Sequence, residues 1–156
     1  MDFAYTQDQL DFQQRARDFI MNKMAPEVEK YDTKSIFPKR VFREFGEKGF
    51  LGVIVPEEYG GLGLGTMEYC LLSEELGRLS AGYTHNGVFQ TQKMIIMHGT
   101  NEQKERFLPG LASGKLHAAT AISEPGMGSS FKTMKTSARK EKGVYILNGV
   151  KSHIND

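Results

Sequence analysis

Apolar positions in the first 114 residues recur at helical spacing. Phe12, Ala16, Phe19 and Ile20 stand at i, i+4, i+7 and i+8 and form one stripe. Thr6 precedes the stripe, and Gln9 three residues on completes a capping box. Pro26 lacks an N–H, so it ends or restarts that helix. Pro38 suits the first position of a second helix, with Val41, Phe42 and Phe45 on one face and an end near Gly46 to Gly49. Val53-Ile54-Val55 reads as a short extended piece. A third helix is expected over about Thr66 to Leu79, with Leu72, Leu76 and Leu79 in register, and a fourth over His85 to Met97. Thr100 and Gln103 form a second capping box that opens a fifth helix carrying Phe107, Leu108 and Leu111. These stripes read as core.

The pattern changes at His117. Residues His117 to Ile122 read as extended, and Met134 to Lys140 as a second strand. Glu141-Lys142-Gly143 is a turn, and Val144 to Leu147 is a third strand, apolar on both faces. Asn148-Gly149 is a two-residue hairpin signal, with a return strand from Val150 to Ile154. The predicted class is α+β: a helical part, residues 1–114, then an incomplete antiparallel β-part, residues 115–156. Three or four short strands leave an open edge and an unfinished core, so the C-terminus reads as a truncation.

Composition narrows the function. The 156 residues include 20 basic and 19 acidic side chains, net +1, which argues against a polybasic nucleic-acid surface. No apolar run reaches the roughly 18 residues of a membrane span. The N-terminus carries Asp2 and Asp8 and lacks the basic and apolar regions of a secretory signal. The lone Cys70 excludes an internal disulfide and is expected to be a small buried hydrophobe. His85, His98, His117 and His153 are scattered without metal-ligand spacing.

Two glycine-rich loops are candidates for chemistry. Gly60-Gly61-Leu62-Gly63-Leu64-Gly65 follows an apolar piece and precedes a helix, as a dinucleotide loop would. No βαβ alternation surrounds it, which favours a surface turn. The second loop is Ala121-Ile122-Ser123-Glu124-Pro125-Gly126-Met127-Gly128-Ser129-Ser130. Its small residues could expose hydroxyls and amides to an anion; its composition equally suits a plain turn. Glu124 could be read as a lone acid–base carboxylate. Its place before Pro125 fits a loop organiser better.

That second loop resembles the Thr/Ser-Glu-Pro-x-x-Gly-Ser-Asp signature of the acyl-CoA dehydrogenase family of FAD-dependent flavoproteins. Further stretches resemble the family in the family's order: Pro56-Glu57-Glu58-Tyr59-Gly60-Gly61-Leu62-Gly63, Ser73-Glu74-Glu75-Leu76-Gly77-Arg78, His98-Gly99-Thr100-Asn101-Glu102-Gln103-Lys104, Leu108-Pro109-Gly110-Leu111-Ala112-Ser113-Gly114 and Tyr145-Ile146-Leu147-Asn148-Gly149-Val150-Lys151. The resemblance implies an N-terminal orthogonal all-α bundle, then the beginning of an antiparallel β-barrel domain. The family's C-terminal helical domain is absent from these residues. It also makes the glycine run at 60–65 structural.

The resemblance further implies FAD as cofactor. Ile122 and Ser123 would face the flavin ring, Gly128 and Ser129 the pyrophosphate, with Ser129 also near the CoA chain. His153 and Asn155 would flank the flavin. Phe89, Gln90 and Met94 would line the acyl pocket. Three positions depart from the usual pattern: Ser130 replaces an Asp, Thr120 replaces a common aromatic, and His153-Ile154-Asn155 replaces an aromatic followed by Ile and Thr/Ser.

The implied reaction is α,β-dehydrogenation of an acyl-CoA thioester to a trans-2-enoyl-CoA. Donors at the thioester carbonyl acidify the α-carbon, a carboxylate removes its proton, and the β-hydride passes to the flavin. No carboxylate of this chain matches the family's base, so no catalytic residue is assigned here. Implied partners are the acyl-CoA substrate, an electron-transfer flavoprotein as acceptor and further copies in a homo-oligomer, with no nucleic acid and no membrane span. The implied location is the prokaryotic cytoplasm, or the mitochondrial matrix for a processed eukaryotic protein. The alternatives are a non-catalytic fragment or interaction module, and a flavin-dependent acyl-CoA oxidase.

Overall fold

The computed structural model describes residues 4–79 and 86–154 and divides the chain into two compact units, Met1–Ala118 and Ala119–Asp156. The first holds helices α1 (Gln7–Phe19), α2 (Val28–Lys34), α3 (Lys39–Glu47), α4 (Thr66–Leu79), α5 (Asn86–His98) and α6 (Asn101–Ala112). The second holds strands β1 (Ser137–Glu141) and β2 (Val144–Asn148). The predicted class, helical bundle followed by antiparallel β-structure, is the observed one.

Both predicted capping boxes form. Thr6 Oγ1 accepts from the Gln9 amide while Gln9 Oε1 accepts from the Thr6 amide, and Thr100 and Gln103 repeat the exchange on α6. Pro26 acts as a restart. It cannot donate to the preceding turn, so α1 runs on through a π-helical turn (Ile20–Met24) and a 3-10 turn (Ala25–Glu27) before α2 begins. Pro38 caps α3 from just outside it, one residue earlier than predicted.

The core of the first unit is aromatic. Phe45 has no exposed surface and stands 5.0 Å from Phe50 and 5.6 Å from Phe19, ring centre to ring centre, with Phe12 edge-on to Phe50. Leu72, Leu76 and Val88 bring α4 and α5 into the same cluster. One charge lies beside it. Glu75, 2% exposed, receives Arg17 through two bonds, Nε at 2.9 Å and Nη2 at 2.8 Å, plus Gln13 Nε2 at 3.0 Å. These bonds tie α1 to α4. Arg17 holds the Glu75 carboxyl below the usual range.

Residues 53–55 differ from the prediction. They form turns, with Val55 N–H donating to Gly52 O. The glycine run supplies their remaining partners: Leu62, Gly63 and Leu64 donate to the carbonyls of Gly52, Val55 and Val53. Apolar Val53 and Val55 are buried by this doubling-back instead of by a sheet. Gly61 permits it, since a Cβ there would lie 2.0 Å from Val55 O. The run is therefore a packing device, as the resemblance implied. Cys70 corrects another expectation: it is exposed, on the outer side of α4 away from buried Leu71, Leu72, Glu75 and Leu76.

The second unit holds one two-stranded antiparallel sheet in register Ser137↔Asn148 through Glu141↔Val144. Its turn is Lys142-Gly143, both at positive φ (47° and 88°), the type I′ pattern. The expected hairpin at Asn148-Gly149 does not form, and Gly149 lacks the positive φ it would need. Gly149 instead lies against Thr136, whose Oγ1 would be 2.2 Å from an added Cβ. The first strand begins at Ser137 instead of Met134. Residues 117–122 and 150–154 form no ladder; Ser152 N–H donates to Ser123 O at 2.9 Å beside them. A strand needs a regular ladder of backbone bonds to a neighbour, and neither segment is part of one among the described residues. Both faces of β2 are accordingly exposed, Leu147 at 74%.

The aromatic cluster should dominate the stability of the helical unit. Phe45→Ala is expected to lose about 3–5 kcal/mol in urea unfolding. Gly61→Ala should lose about 1–3 kcal/mol, because the added methyl meets backbone that must shift. A loss below ~0.5 kcal/mol for either would contradict the packing described here.

Candidate functional site

The second unit concentrates its polar order around one side chain. Glu124 is buried, its side chain 4% exposed. Its Oε2 accepts from the Lys135 amide at 2.6 Å, and its Oε1 from the Thr136 amide at 3.0 Å and Lys151 Nζ at 2.9 Å. A buried carboxylate requires such donors, since transfer from water without them costs several kcal/mol. The Thr136 side chain beside it, the Lys135 amide and the Lys151 ammonium together lower its pKa to about 2. Glu124 thus organises the loop. At neutral pH it is a very weak base with its oxygens engaged, and it is unsuited to proton abstraction.

The loop before and after Glu124 is held from several points. Lys151 Nζ also donates to the Ile122 carbonyl at 3.0 Å. Ser152 N–H donates to the Ser123 carbonyl, and Met127 N–H closes the Pro125-Gly126 turn on Glu124 O. The amides of Ile122 and Ser123 have no partner among the described residues. Gly128 and Ser129 are exposed, with nothing within 4 Å of where a Gly128 Cβ would sit. The result is a short backbone edge with free donors, the exposed Ile122 side chain next to it and an open small-residue turn beyond.

Other predicted residues fall as follows. His153 is exposed and adopts φ 54°, a left-handed conformation that His tolerates better than most residues. It is two residues from Lys151, next to the Ser152 N–H to Ser123 O bond. Asn155 lies outside the described residues. In the helical unit, Gln90 and Met94 stand one turn apart on α5 and are both exposed, Met94 at 57%. Phe89 does not share their face. It stacks on Tyr69 at 3.5 Å and 12° and lines a hollow with Leu72, Val88 and Gln92. His85 lies outside the described residues.

Sequence reasoning overlooked Lys151 as a site residue and Gln92 as a buried one. Lys151 carries a weak signal, a cation in the predicted return strand Val150 to Ile154. Gln92 is fully buried and donates to Leu51 O at 2.8 Å; its helix position gives no hint of that bond.

Comparison with known proteins bears on this arrangement. The acyl-CoA dehydrogenase N-terminal domain matches residues 6–115. The chain belongs to the acyl-CoA dehydrogenase family. Two similar relatives are the mitochondrial isobutyryl-CoA dehydrogenase of Dictyostelium discoideum, 39% identical over 155 residues, and the mitochondrial isovaleryl-CoA dehydrogenase of Solanum tuberosum, 39% identical over 150. They are matched over 96% and 92% of this chain, which spans 36% of the length of each. A glutaryl-CoA dehydrogenase in complex with glutaryl-CoA superposes with a TM-score of 0.92 at 29% identity, over 99% of this chain and 40% of that one. An acyl-CoA dehydrogenase from Bacillus anthracis complexed with FAD superposes with a TM-score of 0.76 at 35% identity, over 96% of this chain and 27% of that one. The family is FAD-dependent. No helix among the described residues is long and apolar enough to cross a membrane.

Glu124 predicts an acid response. Its folded-state pKa is depressed from 4.5 to about 2, so the unfolded chain binds the proton more readily. Its stabilising contribution is complete above the unfolded value and is lost as pH falls through about 2. In an NMR titration, the Lys135 and Thr136 amide shifts should move with an apparent pKa near 2, and Glu124→Gln should abolish the movement. A midpoint near the ordinary value of 4.5 would show that the carboxylate is solvated instead.

Proposed function

We propose that this chain is part of an FAD-dependent acyl-CoA dehydrogenase that converts an acyl-CoA thioester to a trans-2-enoyl-CoA. The observation that carries the reading is the backbone edge at Ile122 and Ser123. Its amides are free among the described residues and its carbonyls are held by Lys151 and Ser152. Such an edge fits a flat ring with polar atoms along one side, and the open turn at Gly128-Ser129 fits a phosphate approached by backbone. A bound flavin would supply the hydride acceptor.

The residues of this chain would then divide the work. Ile122 would lie against the ring, and Ser123 would offer its amide and hydroxyl to the edge where reduction places negative charge. His153 and Asn155 would flank the ring. Gly128 and Ser129 would meet the pyrophosphate, and Ser129 also the CoA chain. Gln90 and Met94 would present the exposed face of α5 to the acyl group. Phe89, stacked on Tyr69, would line the acyl pocket with them. The base is expected outside these 156 residues, because Glu124 is committed to its donors. The chain's 36% coverage of the isobutyryl-CoA enzyme agrees with that. Electrons would leave to an electron-transfer flavoprotein, and the assembly would be a homo-oligomer.

The test uses the full-length protein that carries this chain. It should show the visible bands of oxidised flavin. Those bands should bleach anaerobically with one of a panel of straight, branched and dicarboxylic acyl-CoA thioesters, giving a product two hydrogens lighter. Ser123→Ala should slow bleaching about tenfold or more, the scale of losing one hydrogen bond to developing charge. Absence of flavin would sink the reading. Re-oxidation by oxygen at a rate matching turnover would favour the oxidase alternative.

A further inference from the structure

Lys151 and Ser152 grip successive peptide units of the same short edge. Lys151 Nζ donates to Ile122 O at 3.0 Å, and the next residue, Ser152, donates its N–H to Ser123 O at 2.9 Å. The Lys151 side chain is only 23% exposed. Its ammonium is kept there by Glu124 at 2.9 Å, and Glu124 is itself fixed by the Lys135 and Thr136 amides. A lysine free to move would spread over many rotamers in water; the ammonium of this one is held by two acceptors, Ile122 O and Glu124 Oε1.

The consequence follows from peptide geometry. A trans peptide is planar, with its carbonyl and the following N–H on opposite sides. No cis bond occurs among the described residues. The Ile122 carbonyl and the Ser123 N–H share one such plane. A cation fixed on Ile122 O therefore fixes the direction of the Ser123 N–H, which points away from Lys151. The cation also draws electron density through the amide, and linked hydrogen bonds polarise one another. The Ser123 N–H is thus aimed and also made a stronger donor.

We propose that Lys151 is a positioning residue for the flavin, acting through the Ile122–Ser123 peptide to aim and polarise the Ser123 N–H toward the polar edge of the ring. This rests on the flavin reading above. Glu124 serves as its anchor. The reduced flavin, which gathers negative charge at that edge, gains more from the sharpened donor than the oxidised flavin does.

Lys151→Met in the full-length holoprotein tests it. The expected result is an FAD dissociation constant raised about tenfold, in line with losing a charge-assisted hydrogen bond. The visible bands should shift and the two-electron reduction potential should become more negative. Lys151→Arg, which keeps the charge and the donors, should return the dissociation constant to within about twofold of wild type. A purely structural tie would lower the melting temperature and leave spectrum and potential unchanged in the flavin-loaded fraction; that result overturns the proposal while the flavin reading stands. A wild-type protein without flavin overturns both. If Lys151→Met does not fold, Lys151→Gln, a neutral donor at the same place, is read by the same spectrum and potential. Unchanged values there overturn the proposal, and shifts in the stated direction support it.

Discussion

A carboxylate removed from water must receive its hydrogen bonds from the protein, and that constraint organises both units of this chain. Glu75 gathers Arg17 and Gln13 and so joins α1 to α4. Glu124 gathers two amides and Lys151 and so joins the 121–130 loop to the segment before β1 and to the segment after β2. A buried charge whose partner moves away costs far more than the pair contributes while intact, so each network specifies one arrangement of the elements it touches.

The two units rely on different means. The helical unit has a full aromatic core with Phe45 at its centre, and the charged tie merely orients helices that already bury apolar surface. The β-unit has little core of its own, since β1 and β2 are exposed along their whole length. There the Glu124 network carries the order that packing carries elsewhere. A two-stranded sheet is marginal in water, which is why polar anchoring matters more in this unit.

The candidate site is built from backbone more than from side chains. Ile122 and Ser123 present amides and Gly128 presents space, while Lys151, held by Glu124, binds the carbonyl side of the Ile122–Ser123 peptide. This division suits a cofactor with many polar atoms, because backbone donors are rigid and need no rotamer to be frozen. It also separates two roles that a motif compresses into adjacent letters: Glu124 takes its donors from the protein and shapes the loop, and its neighbours Ile122 and Ser123 keep amides that are free among the described residues.

Local chemistry was legible without a structure. The capping boxes at Thr6 and Thr100, the stripes on α1, α3, α4 and α6, and the turn at Lys142-Gly143 depend on residues within a few positions of one another. Glu124 was recognisable as a loop organiser from the proline after it. What failed were readings that needed a distant partner. Residues 117–122 and 150–154 read as extended but form no ladder. Val53 and Val55 were buried by a glycine loop instead of a sheet, Asn148-Gly149 served close approach to Thr136 instead of a turn, and Cys70 faced outward. The sequence by itself determined five of the six described helices, the capping boxes at Thr6 and Thr100, the family and the loop that bears its signature, because these are written in short-range spacing; the separate α2 was not among them. Only the tertiary structure decided that Lys151 would reach back 29 residues to Ile122, and that Gln13 and Arg17 would meet Glu75. Those contacts depend on where the chain returns in space, which no local pattern encodes.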